Sequence, residues 1–77
     1  MLETVKQAED GNGVILRIYE YENALTKGRV SVNLEGVKGV EECNLLEEKI
    51  QDVPWDGNGF DIRMKPYEIK TYRLIMK

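Results

Sequence analysis

Apolar positions along this chain fall into short runs separated by turn-forming residues. The breaks lie at Asp10-Gly11-Asn12-Gly13, Lys27-Gly28, Glu35-Gly36, Pro54 and Asp56-Gly57-Asn58-Gly59. Between them the pattern predicts strands at Leu2–Lys6, Val14–Glu22, Arg29–Leu34, Gly39–Leu45, Lys49–Val53, Phe60–Met64 and Tyr67–Met76. Short strands at this turn spacing predict an all-β fold, a small antiparallel β-sandwich of about seven strands, immunoglobulin-like in architecture. Residues 1–77 form a single domain in this reading.

Two runs alternate cleanly. Val30, Val32 and Leu34 share one face, and Phe60, Ile62 and Met64 another, with polar residues between them. Each reads as a half-buried strand. The run from Val14 to Tyr21 is different. Val14, Leu16 and Ile18 make one apolar face, and Ile15, Tyr19 and Tyr21 with Arg17 make the other. Such a strand needs cover on both sides, and the sandwich core supplies one. The last strand behaves alike. Asn44-Leu45-Leu46-Glu47 admits a helical capping box, but a bulge or tight turn before a short strand fits the neighbouring β pattern better.

Composition supports strands: valine, isoleucine and threonine total 16 residues against two alanines. β-branched side chains suit a pleated surface, and alanine-poor sequences make weak helices. The net charge of -3 and the lack of a basic run argue against nucleic-acid binding. No apolar run approaches the ~18 residues of a membrane span, and no apolar leader opens the chain, so neither a membrane nor a secretory route is expected. The lone Cys43 makes no internal disulfide, which points to the cytoplasm.

There is no histidine, which removes Ser-His-Asp and Cys-His catalysis and His-ligated zinc. Among ten glutamates, Glu20 and Glu22 are the candidate pair for glycosidase chemistry, but a spacing of two is unspecific. Glu41-Glu42 and Glu47-Glu48 read as solvated edges and turns. The repeated Asp-Gly-Asn-Gly lacks the later ligands of a calcium loop and reads as a turn needing positive φ. Trp55, between Pro54 and Asp56, is the candidate for stacking a sugar ring, with edge packing as its other reading.

Three stretches together resemble one family. They are Glu3-Thr4-Val5-Lys6-Gln7-Ala8-Glu9-Asp10-Gly11, then Leu16-Arg17-Ile18-Tyr19-Glu20, and Asn44-Leu45-Leu46-Glu47-Glu48 with Lys65-Pro66-Tyr67-Glu68-Ile69-Lys70-Thr71-Tyr72-Arg73-Leu74. In order and spacing they resemble the C-terminal β-domain of family 38 glycoside hydrolases, the α-mannosidases. The resemblance implies a C-terminal fragment of a larger retaining enzyme that releases α-linked mannose from glycans. It also implies a zinc ion and an Asp nucleophile in another domain, with no cofactor and no catalytic residue here. The partners would then be the remaining domains of the parent. An independent carbohydrate- or protein-binding module is the alternative.

On the first reading, Ile15, Arg17, Tyr19 and Tyr21 form the face that docks on the parent. Arg17 is expected to pair there with a carboxylate or backbone carbonyls, or else to reach across the sheet to a local Glu. In the isolated chain this face is expected to be exposed. Glu20 points to the opposite face.

Overall fold

A computed structural model describes residues 2–8, 11, 13–21 and 25–76. Seven strands follow in order: β1 (Leu2–Gln7), β2 (Val14–Tyr19), β3 (Thr26–Ser31), β4 (Val37–Cys43), β5 (Lys49–Val53), β6 (Gly59–Met64) and β7 (Ile69–Met76). They form a five-stranded sheet, β1-β2-β7-β4-β5, and a two-stranded sheet, β3-β6, with every pairing antiparallel. Among the described residues there is no helix. The all-β sandwich expected from the turn spacing is therefore the fold. Its strands divide five and two, where an immunoglobulin constant domain divides them four and three.

The core lies between the sheets. Leu16 and Ile18 of β2, Tyr72 and Leu74 of β7 and Val40 of β4 meet Val30 of β3 and Phe60, Ile62 and Met64 of β6. The Phe60 and Tyr72 rings pack tilted, with centroids 4.8 Å apart. This is the alternation of Phe60, Ile62 and Met64 made physical, with Asp61 and Arg63 turned to water. Tilted aromatic pairs add stabilisation beyond the area they bury.

Several boundaries differ from expectation. Lys27-Gly28 is no turn: Gly28 lies inside β3, opposite Ile62. β3 ends at Ser31, so Leu34 projects outside the sheet and is exposed. The register follows from Gly59, whose missing side chain lets the Val30 carbonyl approach it closely. Tyr67 sits in the turn before β7 with φ 58°, and is likewise exposed. The first Asp-Gly-Asn-Gly segment joins the paired strands β1 and β2, as a hairpin turn should, whereas the second is no hairpin: it carries the chain from β5 in one sheet to β6 in the other. Asp10 and Asn12 lie outside the described residues. Gly11 and Gly13 there have φ of 74° and 101°. In the second, the Asp56 carboxylate accepts hydrogen bonds from the Asn58 and Gly59 amides at 2.9 and 3.0 Å, and Gly57 takes φ 97°.

Burial pushes the Tyr72 phenol up to about 12, with Glu42 and Glu68 adding to the shift. The folded state then keeps a proton that the unfolded chain releases near pH 10, so this contribution is intact below pH 10 and is lost as pH rises towards 12. A shift of this size corresponds to roughly 2–3 kcal/mol. Urea midpoints are expected to fall between pH 10 and 12, and to fall less in Tyr72→Phe; superimposable profiles would contradict the assignment.

Candidate docking face and its covering loop

The five-stranded sheet has a second face, turned away from the core. Cross-strand register places Ile15 opposite Arg73, Arg17 opposite Thr71 and Tyr19 opposite Ile69. Arg73 also faces Glu41, and Thr71 faces Cys43. Lys6 flanks Ile15 on its other side. This is the doubly apolar character of β2, with β7 as its neighbour.

The segment 44–48 folds over part of this face. Its shape is templated by Asn44, whose side-chain oxygen accepts from the Leu46 and Glu48 amides at 2.9 and 3.0 Å. The Asn44 amide group donates to the Glu48 carboxylate at 3.0 Å, and Glu47 takes φ 64°. A bulge between Glu42 and Cys43 precedes the loop. Asn tolerates such local bonding better than it tolerates a helix interior, which is why the capping-box pattern yields a tight turn here.

Once shaped, the loop turns carbonyls towards the sheet. Arg73 Nη2 donates to the Glu47 carbonyl at 2.9 Å, and Arg17 Nη2 to the Leu45 carbonyl at 3.3 Å. The Glu47 carboxylate pairs with Lys6 at 3.0 Å. Glu47 therefore binds both residues that flank Ile15. Arg73 Nε lies 3.8 Å from Glu41, which Lys49 also approaches at 3.7 Å. Beneath, Cys43 is buried and reduced, its thiol pushed up by desolvation. Arg17 Nε and Thr71 Oγ1, opposite each other, are buried without a hydrogen-bond partner among the described residues.

These contacts correct part of the expected docking face. Ile15 is fully buried within the chain, because the second cover is the chain's own loop. Within this chain the partner of Arg17 is the Leu45 backbone carbonyl rather than a local Glu side chain. Glu47 is no solvated edge: its side chain is almost wholly buried and clamps the loop. Tyr19 and Tyr21 do stay open, 42% and 62% exposed. Ile69, the cross-strand partner of Tyr19, is open as well at 43%, and in the loop Leu45 and Leu46 are 64% and 80% exposed. Ile69 was legible on the outer face of β7, but its pairing with Tyr19 depends on register.

Glu20 is buried, and its backbone amide donates to the Glu68 carbonyl at 2.9 Å. Glu22, the other member of the carboxylate pair, lies outside the described residues. Among the described residues no group of three His, Cys, Asp or Glu side chains is placed to hold a metal ion. Nor is any helix there long and apolar enough to cross a membrane. Trp55 is half-buried against the core and lines a separate pocket on the far side of the sandwich.

Comparison with known proteins agrees with the resemblance carried by the sequence blocks. The family profile described as "Glycosyl hydrolases family 38 C-terminal beta sandwich domain" matches residues 1–72. Alpha-mannosidase G of Dictyostelium discoideum is 34% identical over 77 residues, a match covering 97% of this chain and 7% of that protein. The chain thus spans a small part of the length of this relative. No solved structure gives a significant match.

Proposed function

Since this chain belongs to the C-terminal β-sandwich domains of family 38 glycosyl hydrolases, we propose that it is a non-catalytic accessory domain of an α-mannosidase, packing on the rest of that enzyme. The parent enzyme would release α-linked mannose from glycans, and its zinc ion and nucleophile would lie in other domains.

The observation that carries the packing is the exposed row on the outer face. Tyr19 and Ile69 stand directly opposite each other and leave more than two-fifths of their surface in water. Leu45 adjoins them through Arg17, which it holds by its carbonyl. An exposed Tyr–Ile pair beside a tethered guanidinium suits a protein interface, where Tyr and Arg anchors dominate the energetics. The loop narrows the docking face expected from β2 to its Tyr19 end.

In an α-mannosidase carrying this domain, combined Tyr19→Ala and Ile69→Ala substitutions are expected to weaken domain packing by more than about 1–2 kcal/mol. The readouts are whole-enzyme melting and activity. The isolated 77-residue chain should keep its stability to within about 1 kcal/mol, since both side chains are exposed. Unchanged melting and activity of the whole enzyme would overturn the reading.

A further inference from the structure

The two-stranded sheet covers the opposite side of the sandwich, and a different chemistry collects there. Arg29 of β3 and Asp61 of β6 face each other and point away from the core, since their neighbours Val30 and Phe60 point into it. Arg29 Nη1 lies 3.4 Å from Asp61, and Arg29 Nη2 donates to Asp56 Oδ2. Asp56 is fixed from behind by the Asn58 and Gly59 amides on its other oxygen. The Asn58 amide foremost, then Arg29, holds this carboxyl below the usual carboxylate range, so it stays ionised. These three residues line a pocket of about 230 Å³ with Trp55, Pro54 and Phe60.

We infer that this pocket binds a single neutral sugar ring, with the Trp55 indole against its C–H face and its hydroxyls on Asp61 and Arg29. The volume lies below the ~300–1,000 Å³ of sites for drug-sized ligands, which restricts the occupant to about one ring. Two carboxylates against one guanidinium leave a negative balance that disfavours an anion. A cation finds its place beside both carboxylates already taken by Arg29. A purely apolar ligand would strip water from the largely exposed Asp61 carboxylate and offer it no donor in exchange, at a cost in affinity. A pyranose avoids all three penalties. Its hydroxyls both donate and accept, and neighbouring pairs of them match the two-pronged geometry of carboxylate and guanidinium. Asp61 supplies the free acceptors: its side chain is 86% exposed and makes one long contact. The site is on the far side of the sandwich from the Tyr19–Ile69 row, so a docked domain would still present it.

Trp55 is the only tryptophan, so its emission reports directly on the pocket. The 77-residue chain is titrated with the methyl α-pyranosides of mannose, glucose and galactose, and with glucuronate as the anionic counterpart. At least one neutral glycoside is expected to give a saturating change, with a midpoint in the ~1–10 mM range set by one ring and few hydrogen bonds. Asp61→Ala should weaken it by about tenfold, the loss expected for hydrogen bonds to a charged group. Its melting temperature should stay unchanged, because Asp61 is exposed. Asp61→Asn is the second variant and should fall between. The inference is overturned if no neutral glycoside saturates the signal, if Asp61→Ala titrates like the parent chain, or if glucuronate binds as tightly as the neutral rings.

Discussion

Gly59→Val is expected to leave this chain without a cooperative unfolding transition. Gly59 opens β6 opposite Ser31. A Cβ there would lie 3.1 Å from the Val30 carbonyl carbon and 3.2 Å from Ser31 Cα, with the Val30 carbonyl oxygen closer still. All three neighbours are backbone, so no rotamer change relieves the clash; β3 and β6 must part. Overpacking that side chains can absorb costs ~1–3 kcal/mol. Here the loss extends to the two-stranded sheet, which supplies Val30, Phe60, Ile62 and Met64 to the core. A chain of this size has about 4–12 kcal/mol of stability in all. Gly57→Ala is the control: nothing lies near a Cβ there, and only its φ of 97° opposes the change. It should fold with a cost of about 1–2 kcal/mol. Thermal melts followed by circular dichroism separate the cases. A Gly59→Val chain melting within a few degrees of its parent would refute the steric argument.

Arg73→Ala should produce the second large loss, by a different route. The Arg73 side chain is only 6% exposed, close to the partly buried carboxylate of Glu41, and donates to the Glu47 carbonyl. Removing one partner from a buried charged pair typically costs ~3–5 kcal/mol, because the other charge stays desolvated. The loop over the outer face also loses one of its two guanidinium ties, the other being Arg17. Cys43, the only thiol, makes this visible. In the parent chain, reaction with a thiol reagent should be slow, since burial hides the sulfur and keeps it protonated. In Arg73→Ala it should be much faster under native conditions, alongside a lower urea midpoint. Arg73→Lys keeps the charge but loses the forked donor set, and should lie between. A variant with unchanged midpoint and a still protected thiol would show that the loop stands without Arg73.

The strands are legible in the sequence because turn glycines and period-two alternation both report local geometry. Phe60, Ile62 and Met64 read as a core face and are one. Gly28 misleads for the same reason: Lys-Gly looks like a turn until a partner strand is known, and only the pairing with Ile62 keeps it extended. Gly13 and Gly59 occupy equivalent places in one repeated motif, yet differ. Gly13 has φ 101°, with the Leu74 carbonyl 2.5 Å from any Cβ, whereas Gly59 is required by close approach alone. The demand of β2 for two covers is also readable from Ile15, Arg17 and Tyr19. What supplies the second cover is not. It depends on Glu47 reaching Lys6 and Arg73, which are 41 and 26 positions away along the chain, and no periodicity connects them. The surface that stays open, Tyr19 with Ile69, is what remains after that loop has closed.

The strand order has a consequence for how the domain is born. β7, the last strand of the sequence, lies at the middle of the five-stranded sheet, hydrogen-bonded to β2 on one side and β4 on the other. Until it leaves the ribosome, β1-β2 and β4-β5 are two hairpins with nothing between them, and isolated hairpins are marginal in water. The sheet therefore closes after translation of the domain rather than during it. Its closure needs contacts between residues some 50 to 60 positions apart, such as Val14 with Leu74 and Arg17 with Thr71. Folding dominated by such distant pairings runs in milliseconds to seconds rather than microseconds. During that interval the inner edges of both hairpins are bare, the state in which a nascent β-domain most needs a chaperone.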